Sequence, residues 1–77
     1  MKRKSEEQIN MLCALGMRIK LLRAARGWSQ EVLAEISDLH KNYIGHVERS
    51  EVNPSFTQIS KLARAFDMNI SQFVEGV

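Results

Sequence analysis

The sequence predicts an all-α domain of five short helices, the second and third joined as a helix-turn-helix. Three observations carry this expectation. Only one proline and four glycines interrupt 77 residues, and no stretch alternates apolar and polar positions as a strand would. Leu33, Leu39, Ile44 and Val47 can converge only if two short helices meet across a tight turn, with Ala34 small enough to let them approach. Asn53-Pro54-Ser55 is the strongest punctuation in the chain and separates that pair from a further helical segment.

Each element has its own signal. The first helix carries Leu12, Leu15, Ile19 and Leu22 at three- and four-residue steps, and Gly27 ends it with a left-handed cap. Trp28 follows as an apolar anchor, and Ser29 is a natural N-cap for a second helix over about residues 30–36. Ser37-Asp38-Leu39-His40 is a turn with one apolar plug, and the third helix runs over about residues 41–49. Ser55 caps a fourth helix, with Gln58 completing a capping box and Phe56, Ile59, Leu62, Ala63 and Phe66 as its buried face. Asp67-Met68-Asn69 is a turn, and Asn69 caps a short fifth helix through Phe73 and Val74. Trp28, Phe56, Phe66 and Met17 are expected in the core, and Cys13 buried or half-buried. Residues 1–8 read as a basic and polar N-terminal arm, residues 9–77 as the helical domain.

Length and composition exclude several classes. A chain of 77 residues holds one small domain, which buries only about 60% of its unfolded surface. The single cysteine forbids an internal disulfide, and His40 and His46 have no cysteine pair for zinc, so oligomerisation is the remaining route to extra stability. No metal, cofactor or small-molecule effector is expected. No apolar run approaches membrane-spanning length, and Glu6 and Glu7 follow the basic start where a signal peptide would turn apolar. A cytoplasmic protein, associated with the nucleoid through DNA, is the expectation. A convergent acid–base pair or nucleophile in a cleft is missing, so an enzyme is not expected. Net charge is only +2, but lysine and arginine cluster at residues 2–4, 18–26 and 41–49.

Residues 27–35, Gly-Trp-Ser-Gln-Glu-Val-Leu-Ala-Glu, together with Tyr-Ile-Gly-His-Val-Glu-Arg at 43–49 and Asn-Pro-Ser at 53–55, resemble the signature of the Cro/CI repressor-like (Xre) helix-turn-helix family. The resemblance spans roughly residues 15–74, with the blocks in order. It implies a five-helix lambda-repressor-like fold and a transcriptional regulator that binds double-stranded DNA. In size and layout the chain is similar to controller proteins of restriction–modification systems. The competing reading is an antitoxin or other protein-interaction module on the same fold. Two positions depart from the pattern: Asp38 stands where glycine is usual, and His40 where serine or threonine usually caps the third helix.

The candidate contacts follow from position and chemistry. Lys41 and Asn42 come first in the groove by resemblance, and their side chains suit guanine and adenine edges. His46 is evenly divided between base contact and a solvated face. Tyr43 is divided between phosphate, thymine methyl and packing, with DNA-proximal placement preferred. Gln30 opens the second helix, where free N–H groups attract phosphate; the resemblance gives its side chain a role against the first residue of the third helix or on phosphate. Gly45 is expected to let the backbone approach the groove. Arg49, Asn53, Ser55 and Thr57 are phosphate candidates, with Arg18 and Arg26 as lesser ones. The resemblance also implies a largely buried ion pair between Arg23 and Glu48 that sets the angle of the recognition helix. Met68, Ile70, Phe73 and Val74 are the expected dimer surface for a homodimer on an inverted repeat. Lys2, Arg3 and Lys4 are either an arm on phosphates or an unstructured start.

Overall fold

Helices in this chain begin where a side chain can accept from their first turn. The computed structural model describes residues 5–77, which form α1 (Glu6–Ala25), α2 (Gln30–Ser37), α3 (Lys41–Glu48), α4 (Phe56–Ala65) and α5 (Ile70–Phe73). Lys2, Arg3 and Lys4 lie outside the described residues. Ser5, Ser55 and Asn69 each make a full capping box, with Gln8, Gln58 and Gln72. The first box starts α1 at Glu6, so Glu6, Glu7 and Gln8 are helical where the sequence reading left them in the arm. Glu6 and Glu7 also suit the positive end of the helix dipole. His40 proves an adequate cap: its Nδ1 accepts the Asn42 N–H at 3.1 Å.

The first four helices end in one motif. Gly27, Asp38, Ser50 and Asp67 all take left-handed backbone angles, with φ between 57° and 67°. Each donates its N–H back to its helix (Ala24, Glu35, Val47 and Arg64 O), and the following residue, Trp28, Leu39, Glu51 or Met68, reaches one residue deeper, to Arg23, Ala34, His46 and Ala63 O. That is the Schellman arrangement, which satisfies carbonyls the helix leaves orphaned. Only the first uses glycine. Asp38, the first departure in the turn, therefore adopts the required conformation at φ 58° and ψ 45°.

Leu15, Ile19 and Leu22 of α1 meet Leu33 and Ala34 of α2, Ile44 and Val47 of α3, and Leu62 and Phe66 of α4 in one buried cluster. Phe66 is sandwiched between Trp28 (centroids 5.7 Å) and Phe73 (5.9 Å). Phe73 is 0% exposed. It closes the core and is unavailable as dimer surface, contrary to expectation, because α5 is a single turn and turns its aromatic inward.

Three other residues sit outside where they were expected inside. Phe56 is 72% exposed: as the first helical residue of α4 its side chain leans toward the helix start, beyond the edge of the layer beneath. Met17 (54% exposed) and Cys13 lie on the outer side of α1. At 100° per residue, Met17 is two steps from both Leu15 and Ile19, which places it on the opposite face. No helix among the described residues is long and apolar enough to cross a membrane.

α1 crosses the end of α3 at Gly16. A Cβ there would stand 2.7 Å from Glu48 O and 2.9 Å from Val47 O, both backbone atoms with little freedom to move. Gly16→Ala is expected to destabilise the domain by about 1–3 kcal/mol, read as a melting temperature lowered by several degrees; an unchanged melt would show that the two helices can part without cost.

Candidate nucleic-acid interface

α3 is fixed in place by a carboxylate at its own end, Glu48. Arg23 donates to Glu48 through Nε at 2.7 Å and NH2 at 3.0 Å, and its NH1 donates to Trp28 O at 2.9 Å. Gln30 Nε2 adds a further donor to Glu48 Oε1 at 3.1 Å. The Glu48 side chain is 2% exposed and that of Arg23 18%. The hydrogen bond to Glu48 raises the Arg23 guanidinium above its ordinary value, which keeps Arg23 charged. Residues from α1, α2 and α3 thus share one charged node. Gln30 donates an amide N–H to Glu48, the last residue of α3, where the resemblance implied a role against the first residue of α3 or on phosphate.

Above this node the surface opens into a depression of about 730 Å³ lined by Gln30, Lys41, Asn42, His46 and Arg49, with Ser29, Glu31, Gly45 and Arg23 on its walls and floor. The structure therefore brings five of the sequence-predicted contacts together at the start of α2 and along the outer side of α3. Ile44 and Val47 occupy the inner side. Gly45 lines the same depression, and a Cβ there would lie 3.0 Å from Arg49 NH1.

Tyr43 points elsewhere. Its hydroxyl donates to Gln58 Oε1 at 2.6 Å, the same oxygen that accepts the Ser55 N–H at 2.9 Å in the α4 capping box. Burial raises the phenol above its usual value, which keeps it protonated as a donor. Tyr43 is thus a tie between α3 and the start of α4. Ser55 is itself the α4 cap, accepting from Gln58 N at 3.2 Å, with Asn53 and Thr57 exposed on either side. These three stand at the next helix start and do not line the depression.

Arg18 and Arg26, the lesser phosphate candidates, both donate to backbone carbonyls. Arg18 donates to Gln72 O at 3.0 Å and Phe73 O at 3.1 Å, closing the end of α5. Arg26 donates to Leu22 O and Phe66 O, with its guanidinium 5.0 Å over the Phe66 ring. Short helices ending against α1 leave carbonyls that need donors, and arginine supplies several with a long apolar stem.

One residue on this face escaped the sequence reading. Glu51 accepts from His46 Nδ1 at 2.7 Å and from Arg49 Nε at 3.1 Å, and those two hydrogen bonds hold its carboxyl below the usual range. Its signal was available: an acid in the position after a left-handed helix end, where the other three helices carry Trp28, Leu39 and Met68.

An α2–turn–α3 unit clamped by α1 and α4, with a polar groove above it, defines a lambda-repressor-like helix-turn-helix domain. The chain belongs to the helix-turn-helix family HTH_3, which it matches over residues 19–73. It is 38% identical over 60 residues to the control protein C.SmaI of Serratia marcescens, covering 78% of this chain and 71% of that one. The crystal structure of the restriction–modification controller C.AhdI from Aeromonas hydrophila superposes with a TM-score of 0.77 at 44% identity, over 80% of this chain and 94% of that one. The controller C.Esp1396I, solved as a tetramer in complex with its natural 35 base-pair operator, superposes at 0.79 with 26% identity, over 94% and 90% of the two chains. Against three curated relatives the chain spans 36%, 71% and 42% of their lengths.

Removing the carboxylate at the end of α3 tests the node. Glu48→Ala leaves Arg23 and Gln30 without their acceptor and is expected to cost about 3 kcal/mol, the lower end for a broken buried pair because Arg23 keeps some solvent. The shift should appear in the midpoint of urea unfolding, and an unchanged midpoint would mean the pair contributes nothing.

Proposed function

We propose that the chain is a sequence-specific double-stranded-DNA-binding transcription regulator that acts as a homodimer on an inverted repeat, as a restriction–modification controller would. One observation carries this reading: Gln30, Lys41, Asn42, His46 and Arg49 share a single open groove on a helix-turn-helix whose reverse side forms the core. The relatives in the same family include control proteins, one of them solved on its operator, and they are regulators, not enzymes. Such a protein works in the cytoplasm, where the nucleoid lies.

Lys41 and Asn42 read base edges from the first turn of α3, with His46 one turn further on. Arg49, the N–H groups opening α2 behind Ser29 and Gln30, and the α4 start at Asn53, Ser55 and Thr57 hold phosphates and fix register. Tyr43 supports this reading by position: it links the α3 base readers to the α4 phosphate grip through Gln58. A single recognition helix reads too few base pairs for useful selectivity, so a second copy is needed. Met68, Ile70 and Val74 remain the dimer surface. They are only partly buried, and Met68 and Ile70 line a depression of about 370 Å³ between α4 and α5.

Selection of bound sequences from random DNA at moderate salt should enrich a two-fold symmetric site with half-sites about 34–36 Å apart; failure to enrich a palindrome overturns the reading. On that site, Asn42→Ala should cost about 1–3 kcal/mol and relax preference at one position, whereas Arg49→Ala should weaken all sequences alike and lower the salt slope by about one. Ile70→Glu should leave the fold intact yet give a monomer in sedimentation at tens of micromolar; a dimer that survives it places the interface elsewhere.

A further inference from the structure

We propose that Glu51 is a specificity-determining positioning residue: it fixes the ring of His46 so that a hydrogen-bond acceptor, Nε2, faces the groove. The proposal rests on the DNA-binding reading above and adds which atoms do the discriminating.

The geometry is built from the backbone outward. The left-handed Ser50 turns the chain so that Glu51 N–H returns to His46 O at 2.9 Å, which sets the Glu51 side chain beside the His46 ring. At the ends of α1, α2 and α4 this position carries Trp28, Leu39 or Met68, each packed against the core. At the end of α3 the core is already closed by Val47 and Glu48, and the residue is an acid that lies along the exposed face. Its two carboxylate oxygens are both used, Oε1 by His46 Nδ1 and Oε2 by Arg49 Nε.

A carboxylate only accepts, so the proton of this contact sits on Nδ1. In neutral imidazole the other nitrogen, Nε2, is then an acceptor, and among the described residues it has no partner. Arg49 NH2 stands 3.4 Å from Nδ1, but that nitrogen has no lone pair to offer once it donates to Glu51. An acceptor in the major groove matches the exocyclic amino groups of adenine and cytosine, and is rejected by the oxygen and N7 acceptors of guanine. Without Glu51 the ring is free to carry its proton on Nε2 and present a donor, the opposite preference. Arg49, released at Nε, gains freedom to reach phosphate.

The test separates this proposal from the reading beneath it. Nitrogen NMR of the free protein at pH 8, where an ordinary imidazole is neutral, should show His46 as the Nδ1–H tautomer, and Glu51→Ala should move it to a population rich in Nε2–H; the same tautomer in both overturns the proposal without reference to DNA. Selection from random DNA then locates the position whose preference vanishes in His46→Ala. There the parent should favour adenine or cytosine by on the order of two- to tenfold, and Glu51→Ala should shift the preference to guanine or thymine and strengthen binding to unrelated DNA. A position that prefers the same base with and without Glu51 sinks the assignment while leaving DNA binding intact. If the parent enriches no sequence at all, DNA reading itself has failed, and the NMR result alone judges the contact between Glu51 and His46.

Discussion

Glu48 sets a carboxylate within the packed end of α3, where water cannot solvate it, and the surrounding helices are arranged to answer that charge. Arg23 arrives from α1 in a two-point grip and Gln30 from the first turn of α2. The same arginine holds Trp28 O, so the chain entering α2 is fixed by the group that fixes α3. Small helices of eight residues have little stability of their own. Their relative angle therefore comes from this node together with the close crossing at Gly16, and every group on the outer face of α3 inherits its position from them.

The parts of the fold legible in the sequence were those with local causes. Capping residues, the stripe from Leu12 to Leu22 and the convergence of Leu33, Ile44 and Val47 depend on spacing alone, and they fixed all five helices within a few residues. Even the two irregular positions resolved locally: Asp38 tolerates the left-handed turn, and His40 caps with a ring nitrogen where a hydroxyl is usual. What spacing cannot carry is the direction of a long side chain. Arg18 and Arg26 looked like surface cations, but apart from Leu22 O the carbonyls they serve, at the ends of α4 and α5, lie 40 or more positions along the chain. Phe73 and Phe56 changed places for the same reason, one drawn under by a stacked aromatic, the other left beyond the layer it was expected to cover. Within the groove, Lys41, Asn42, His46 and Arg49 converge because they share one helix and its cap, whereas Glu51 joins them only through a backbone turn whose three-dimensional course spacing does not reveal.

The repeated helix ending has a structural reason. Connections of a few residues cannot absorb misplaced helix ends, so each must reverse direction within one residue, and the left-handed position does that. Asp38, Ser50 and Asp67 accept some steric cost there, but a residue with a Cβ also loses less freedom on folding than glycine would. The apolar residues that follow three of them, Trp28, Leu39 and Met68, then tether those reversals to the core.

The arginines bound to carbonyls and to Glu48 bear on how such a domain would move along DNA. Arg18, Arg23 and Arg26 direct their charge at carbonyls and at Glu48, and Glu51 offsets part of what His46 and Arg49 present outward. Among the described residues, such a domain would meet a polyanion with part of its positive charge already engaged. Each engaged arginine would release fewer counterions on unrelated sequence and so shorten residence there. Searching would then favour detachment and re-encounter, with lingering reserved for sites where base edges supply what the phosphates do not.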